Sequence, residues 1–226
     1  MSQQKFWVMG KTMASSSRRA EWVDDEMDLE QVICPANDGH RRGGKRLTDL
    51  SVTLSGSNTQ DFVWTWQSEC LLTDSVLELF KAEGFTGFEI KPVKARYKKS
   101  KNTPPRLWEL VVTGWAGIAP PETGINLVEH CEPCHMRRYS TCLHLDKLID
   151  ASQWDGSDFF MVWPLVRYIF ITDRVAEMIR SQRLTGAVIK PPSELEFSGS
   201  GFGPGRLSSW MPEARARELG EPLGIY

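Results

Sequence analysis

The chain has 226 residues, of which 41% are hydrophobic and 25% are charged, which is the composition of a globular protein and excludes a disordered one. The formal net charge of −2 excludes a global positive field that would attract nucleic acid. No apolar run approaches the roughly 20 residues that a membrane-spanning helix needs, and the N-terminus lacks the apolar segment of a secretory signal.

The cysteine content indicates the redox environment. The chain contains five cysteines, and an odd number in a chain of this length does not suggest a disulfide framework. We therefore expect thiols or metal ligands in a reducing compartment. These features predict a cytoplasmic protein with no membrane partner.

Two segments of the chain resemble each other at a constant offset of 99 residues (73 to 172). Residues 73–92 read TDSVLELFKAEGFTGFEIKP, and residues 172–191 read TDRVAEMIRSQRLTGAVIKP. Upstream, FVW at 62–64 aligns with MVW at 161–163 at the same offset. The sequence therefore predicts an internal duplication.

Each copy predicts a helix followed by a short strand. Thr73 and Thr172 are natural N-caps, and each precedes an aspartate that the helix dipole favours. Apolar residues then follow at helical spacing. After each helix, a Thr-Gly pair forms a turn that leads into a short strand. We expect these strands to end at Pro92 and Pro191, because proline interrupts a central strand.

Together these units predict an α+β fold of two pseudo-repeated strand–helix–strand halves with short sheets. The first half covers 1–118 and contains the unit 61–92. The second half covers 119–226 and contains the unit 159–191. We expect the two halves to form one compact protein.

A basic hairpin and a terminal helix complete the predicted elements. Residues 91–115 have the pattern of a β-hairpin whose first strand and turn are basic, with lysine or arginine at Lys94, Arg96, Lys98, Lys99 and Lys101. A charged edge usually prevents sheet-edge aggregation; the alternative is a docking surface for an acidic or nucleic-acid partner. Near the end, MPEARAREL predicts a short helix that begins after proline and ends at Gly220.

The segment HCEPCH at 130–135 predicts half of a metal site. Cys131 and Cys134 have the spacing of a zinc knuckle, but structural zinc takes four ligands. Cys34 lies 100 residues before Cys134, in CPANDGH, and His40 follows it. One half-site from each half predicts a structural Zn²⁺ site of Cys34, His40, Cys131 and Cys134 that would join the halves.

The cysteines and histidines have other possible interpretations. His130, His135 or Cys142 is an alternative fourth ligand to His40. The CxxC is alternatively a pair of free or oxidised thiols. A catalytic redox pair is disfavoured because no thioredoxin-like βαβ pattern surrounds it, and Cys70 is expected to be a buried structural thiol.

The sequence gives little indication of catalysis. It contains no GxGxxG after a strand, no Walker A, no GxSxG and no HExxH. His144 and Asp146 form a plausible catalytic pair only in isolation. We therefore predict a protein that is not an enzyme, with an uncharacterised thiol enzyme as a third hypothesis.

The chain resembles the double-CXXCG motif proteins, which are immunity proteins of the swarming-inhibition (Sit) type. The resemblance covers about the last hundred residues well and the first hundred loosely. Its main segments are CEPCH (131–135), LIDASQWDGSDFFMVWPL (148–165), RYIFITDRVAEMIRSQRLTGAVIKP (167–191) and GFGPGRLSSWMPEARARELGEPLGIY (201–226). Two positions depart from the family pattern: His135 stands where the family has glycine, and the first motif keeps only Cys34.

The resemblance implies a function that composition alone does not indicate. It implies a cytoplasmic non-enzyme that binds a cognate protein toxin and protects the cell that produces it. Inhibition would then be steric, with aromatic and charged anchors supplying most of the affinity. The alternative is a zinc-stabilised nucleic-acid-binding or regulatory module, which the CxxC and the basic segment favour.

Overall fold

A computed structural model describes residues 4–11, 19–56, 59–197 and 201–226, and it shows a mixed α+β fold rich in strands. The helices are α1 (Asp74–Ala82), α2 (Asp173–Ser181) and α3 (Glu213–Gly220). The strands are β1 (Phe6–Gly10), β2 (Arg19–Trp22), β3 (Leu29–Val32), β4 (Arg42–Arg46), β5 (Leu50–Leu54), β6 (Phe62–Thr65), β7 (Cys70–Thr73), β8 (Phe88–Tyr97), β9 (Leu107–Val112), β10 (Gly114–Ile118), β11 (Leu127–Cys131), β12 (Met136–Ser140), β13 (Phe159–Trp163), β14 (Ile169–Thr172), β15 (Val188–Lys190) and β16 (Gly201–Phe202).

The strands form a closed barrel and three open sheets. The barrel has the strand order β2-β5-β8-β9-β7-β6, and the parallel pairing of β2 with β6 closes it. A five-stranded sheet has the order β10-β13-β14-β1-β15. The two small sheets are β3-β4 and β11-β12-β16. Because β1 and β10 share a sheet with β13 and β14, one sheet contains strands from both predicted halves, and the division at residue 118 stays a prediction.

The main hydrophobic core includes side chains of both α1 and α2. Val76 and Phe80 lie four residues apart on one face of α1, and both are fully buried. Phe80 packs on Phe159 of β13, with ring centroids 5.0 Å apart. Val175 and Ile179 have the same spacing in α2 and join the same core. Burying one such side chain contributes roughly 1.5–3 kcal/mol, so these faces hold both helices on the sheets.

The starts of the helices agree with the sequence, but their capping does not. Thr73 and Thr172 precede α1 and α2 in extended conformation, and neither side chain caps a backbone N–H of its helix. The Thr172 hydroxyl instead donates to Asp158 Oδ1 at 2.9 Å, because the threonine is buried beside that carboxylate. The helix α3 follows Pro212, as expected. Within the described ranges, no helix combines the length and apolarity needed to cross a membrane.

The Thr-Gly turn after α1 is completed by the strand β13. The backbone N–H of Thr86 donates to Asp158 Oδ2 at 3.1 Å. In return, the backbone N–H of Phe159 donates to the carbonyl oxygen of Thr86 at 3.0 Å. The next residue, Gly87, has a φ of +84° and approaches the Phe159 carbonyl so closely that a Cβ would lie 2.1 Å from that oxygen.

The turn after α2 makes the same contacts with β6. The backbone N–H of Thr185 donates to Asp61 Oδ2 at 2.7 Å, and the N–H of Phe62 donates to the Thr185 carbonyl at 2.9 Å. Asp61-Phe62 therefore corresponds to Asp158-Phe159, at an offset of 97 (62 to 159). The predicted alignment has an offset of 99 for this segment; these contacts differ from it by two residues because the β13–β14 connection is two residues longer than the β6–β7 connection. The reciprocal contacts are structural facts, whereas the duplication stays a prediction.

The strand β8 continues through Pro92, contrary to the expectation that proline ends it. Pro92 pairs with Trp108 of β9, and the parallel pairing with β5 begins at the next residue, Val93. The missing N–H of proline therefore costs no hydrogen bond to β5. The predicted hairpin over 91–115 corresponds to the antiparallel pair β8-β9. In contrast, β15 ends at Lys190, directly before Pro191, as expected.

Candidate metal centre

Two hairpins bring together the four ligands that the sequence predicts. Cys34 follows β3, and His40 ends a single 3-10 turn before β4. Cys131 is the last residue of β11, and Cys134 ends a second 3-10 turn before β12. The four ligand atoms all lie within 4.8 Å of one another. We call these four residues the inner cluster.

Local sequence features shape both turns. Asn37 precedes the first turn, and its Oδ1 accepts a hydrogen bond from the backbone N–H of Gly39 at 2.9 Å. Pro133 stands in the second turn, where its fixed φ suits the start of a helix. His135 then adopts a left-handed conformation with a φ of +54°, which reverses the chain into β12. The chain thereby places the two CxxC sulfurs on one side of a tight turn.

The distances within the inner cluster fit a tetrahedral metal site. Zn–S and Zn–N bonds of about 2.3 and 2.0–2.1 Å place tetrahedral S···S and S···N neighbours roughly 3.8 and 3.6 Å apart. The Cys34 and Cys131 sulfurs are 3.6 Å apart, and Cys134 Sγ lies 3.8 Å from His40 Nδ1. All five cysteines of the chain are free thiols. Three sulfurs and one imidazole nitrogen could therefore hold a metal ion.

Arg42 sets the charge state of the inner cluster. Its guanidinium donates to Cys134 Sγ at 3.5 Å and to the Cys134 carbonyl oxygen at 2.8 Å. Burial opposes ionisation of Cys134, but the hydrogen bonds from Arg42 and from the Met136 backbone prevail and lower the pKa of this thiol to about 6. Burial, followed by hydrogen bonds with its cysteine neighbours, raises the pKa of Cys131 to about 11. Cys134 is therefore the thiolate that is ready for a metal at neutral pH.

His40 is oriented by groups on its far side. Its Nδ1 faces the sulfurs, whereas Nε2 lies 3.6 Å from Glu129 Oε1 and 3.1 Å from Asn37 Nδ2. A carboxylate behind a metal-binding imidazole fixes the ring and increases the basicity of the ligating nitrogen. Glu129 is therefore a supporting residue of the inner cluster.

The alternative fourth ligands lie elsewhere. His130 and His135 flank the CxxC but gather with Glu132 in a second, exposed group. Cys142 is half-buried, with its sulfur 3.6 Å from the Thr123 carbonyl oxygen. Cys70 is buried in β7, as expected, and burial raises the pKa of its thiol strongly.

The sequence predicted the four residues that cluster here but missed the residues that contact them. Strand alternation places Glu129 on the same face as Cys131 and His130 on the opposite face. That pattern was sufficient to find Glu129 once Cys131 was assigned to a strand. Arg42 follows His40 by two residues, but a basic residue there is ordinary on a strand. Its role depends on how the β3-β4 hairpin packs against the second hairpin.

A second feature is a cavity of about 770 Å³ lined in part by β1 and β6. At its rim, the Arg19 guanidinium stacks over the ring of Trp66, 4.1 Å from the ring centroid. Trp66 is 58% exposed, which is unusual for tryptophan. Burial lowers the pKa of Lys11, and the nearby charges of Arg19 and Arg167 lower it further. The cavity lining has four basic side chains (Lys11, Arg19, Arg167 and Lys190) and two acidic ones (Glu194 and Glu196), so it combines exposed aromatic surface with an excess of positive charge.

Comparison with known proteins does not assign a family. No family model and no curated protein sequence matches this chain. The resemblance to double-CXXCG immunity proteins therefore stays a prediction, and the functional argument rests on the fold and on the two sites.

Proposed function

We propose that this protein binds and neutralises a cognate bacterial toxin by covering it, and that the inner cluster holds a structural zinc ion. The protein acts as an immunity protein in the cytoplasm and catalyses no reaction. The resemblance of residues 131–135, 148–165, 167–191 and 201–226 to Sit-type immunity proteins suggested this function.

The closed ligand set of the inner cluster is the observation that carries the proposal. Catalytic zinc sites keep one position open for water or substrate, whereas structural sites use four protein ligands. The inner cluster supplies three sulfurs and a nitrogen, and Cys34 and Cys134 are both 2% exposed. Three soft sulfur ligands favour zinc over harder ions. Such a site maintains local structure and leaves no position for chemistry, which agrees with a protein that acts by binding.

The surface around Trp66 is the toxin-facing region in this proposal. Tryptophan and arginine are the residues most enriched where binding energy concentrates, and Trp66 and Arg19 already stack on each other. The positive charges of Lys11, Arg19 and Arg167 favour an acidic patch on the toxin. Basic side chains would also accelerate association with such a patch.

Co-expression with the candidate toxin tests the proposal. The toxin is the product of an adjacent gene, expressed in a sensitive bacterial host with and without this protein. We expect the protein to restore growth and to co-purify with the toxin. Trp66→Ala should lower the affinity by at least 10-fold, because truncation of an anchoring tryptophan typically costs 2 kcal/mol or more.

A matched control separates binding from folding. Leu223→Ala also truncates an exposed apolar side chain, and it should bind the toxin as the parent does. Both variants should unfold at the same denaturant concentration as the parent. Growth that is not restored by the parent protein would contradict the toxin-neutralising function. Full affinity in Trp66→Ala would show that the binding surface lies elsewhere on the protein.

The nucleic-acid alternative is weakened by ion pairs on the basic strand. Arg96 Nη1 lies 2.7 Å from Glu26 Oε1, and Lys98 Nζ lies 2.9 Å from Glu21 Oε2. These carboxylates offset charge that a phosphate backbone would need. Salt-sensitive retention of DNA or RNA that is lost in a Lys94→Glu, Lys98→Glu, Lys99→Glu variant would favour this alternative instead.

A further inference from the structure

The histidines of HCEPCH form a second group on the outside of the metal knuckle. His130, Glu132 and His135 place their ligand atoms within 4.8 Å of one another, and all three residues are exposed. We call them the outer cluster. It shares no residue with the inner cluster. Within residues 130–135, however, its members lie on either side of Cys131 and Cys134.

The backbone explains why the two sets separate. In β11, His130 and Cys131 are consecutive, so their side chains point to opposite faces of the strand. After the 3-10 turn, His135 has a φ of +54° and is exposed, whereas the neighbouring Cys134 is buried. Histidine in this left-handed region costs free energy relative to glycine. The conformation is therefore one that a side chain with a function would justify.

The distances suit a metal ion. His130 Nδ1 lies 3.2 Å from Glu132 Oε1, and two ligand atoms about 2.1 Å from one ion lie roughly 3.0–3.4 Å apart in octahedral or tetrahedral geometry. A ring nitrogen of His135 is near enough to join them by rotation of an exposed side chain. We propose that the outer cluster is a second, exchangeable binding site for a divalent transition-metal ion such as Ni²⁺ or Zn²⁺.

The ligand chemistry defines the class of ion. Two imidazoles and one carboxylate suit nickel, zinc or copper better than calcium or magnesium, which prefer oxygen. Three protein ligands leave at least one position for water, so the ion exchanges with solvent. The guanidinium of Arg137 also lies near, with Nη1 3.5 Å from the His135 carbonyl oxygen. Its positive charge weakens binding relative to a wholly acidic site.

The inner cluster pre-organises the outer one. Cys131 and Cys134 lie between the outer ligands in sequence, so a metal held by these sulfurs fixes the backbone from which His130, Glu132 and His135 project. A fixed loop pays less conformational entropy when it binds a second ion. The outer site is therefore tightest when the inner site is loaded.

Nickel titration of the zinc-loaded protein tests this inference. The full chain, prepared without a polyhistidine tag, is loaded with Zn²⁺, desalted and titrated with Ni²⁺ by calorimetry, and both metals are then measured by elemental analysis. We expect one Ni²⁺ per chain, with one Zn²⁺ retained. His130→Ala and His135→Gly should each weaken nickel binding by at least 10-fold while the zinc content stays at one.

The chain provides a clean control because it contains four histidines. One belongs to the inner cluster and two to the outer cluster, which leaves the exposed His144. His144→Ala should bind nickel as the parent does. Absence of nickel binding, nickel affinity unchanged in His130→Ala and His135→Gly, or equal loss in His144→Ala would each overturn the outer site. The zinc content reports separately on the inner cluster.

Discussion

At the scale of single residues, one guanidinium determines how the inner cluster responds to pH. Arg42 contacts both the sulfur and the carbonyl oxygen of Cys134. A cysteine must lose its proton before it binds a metal, so a lowered thiol pKa extends metal binding toward acid. Arg42 thereby influences metal affinity without being a ligand.

Replacement of Arg42 should weaken metal binding in a pH-dependent manner. In Arg42→Met the pKa of Cys134 should return from about 6 toward its ordinary value of 9.0. Zinc must then displace a proton wherever the pH lies between these values, so the loss of affinity grows as the pH falls from 9 toward 6. At about pH 7 we expect binding 10–100-fold weaker than in the parent, measured by competition with a chromophoric chelator.

Arg41 provides the comparison for this measurement. It neighbours Arg42 but is exposed. Arg41→Met therefore changes the net charge by the same amount as Arg42→Met, but it removes no contact with Cys134. Its zinc affinity should follow that of the parent at each pH. An affinity loss in Arg42→Met that is constant between pH 6 and 9 would contradict the assigned role.

The sequence could predict the inner ligands but not their surroundings. The CxxC spacing and the position of Cys34 were sufficient to select the three cysteines, and His40 was the nearest histidine to Cys34. Strand alternation could find Glu129, but the role of Arg42 depends on contacts between two hairpins that are about 90 residues apart in the chain. Spacing along a sequence carries no information about such contacts until the packing is known.

At the scale of elements, each of the two Thr-Gly turns joins the segment after one helix to a strand of the other predicted unit. A Cβ on Gly186 would lie 2.0 Å from the carbonyl oxygen of Phe62, which matches the clash of Gly87 with Phe159. Both glycines have positive φ values near +85°, where a side chain is strained. Each turn therefore needs glycine both for its own conformation and for the close approach of the opposite strand.

Alanine at either turn should destabilise the fold substantially. We expect Gly87→Ala and Gly186→Ala each to lower the free energy of unfolding by about 2–4 kcal/mol, from backbone strain together with overpacking. Urea denaturation measures the effect. Gly84 also has a positive φ, but a Cβ there would meet no atom within 4 Å. Gly84→Ala should therefore cost only about 1 kcal/mol, and equal losses at all three positions would contradict the role of close approach.

The sequence predicted these elements better than their arrangement. Helical spacing of apolar residues placed α1 and α2 correctly, since this pattern depends on the local 3.6-residue period. The barrel was not predicted, because its closure depends on the parallel pairing of β2 with β6 and of β5 with β8. Those pairings join distant segments. The strand β8 also continues through Pro92, where the sequence predicted its end.

At the scale of the whole molecule, the inner cluster joins two sheets that have little core of their own. The sheet β3-β4 has two strands and β11-β12-β16 has three. Isolated sheets of this size are marginally stable in water. The buried side chains between them are few, namely Val32, Cys34 and Cys134, with Cys131 and Met136 packed beside them. A bound metal would therefore supply much of the stability of this region.

Metal removal should loosen this region and leave the rest folded. After treatment with a chelator, we expect faster amide hydrogen exchange in β3, β4, β11 and β12. The barrel strand β5 and the core strand β13 should keep their protection, because each belongs to a separate hydrophobic core. Hydrogen exchange read by mass spectrometry distinguishes these segments. Equal deprotection of β13, or no change in β11, would contradict a local stabilising role for the metal.

The reciprocal turns also determine when parts of the chain can fold during synthesis. Thr86 leaves the ribosome 72 residues before the carboxylate of Asp158 that satisfies its N–H. At roughly 5–20 residues per second, that interval lasts about 4–14 seconds. The strand β1 remains without its pairing partner for longer still, because Trp7 pairs with Ile171. The barrel strands β2 and β5–β9, in contrast, have all emerged once Val112 is synthesised, so the barrel has its pairing partners well before the five-stranded sheet does.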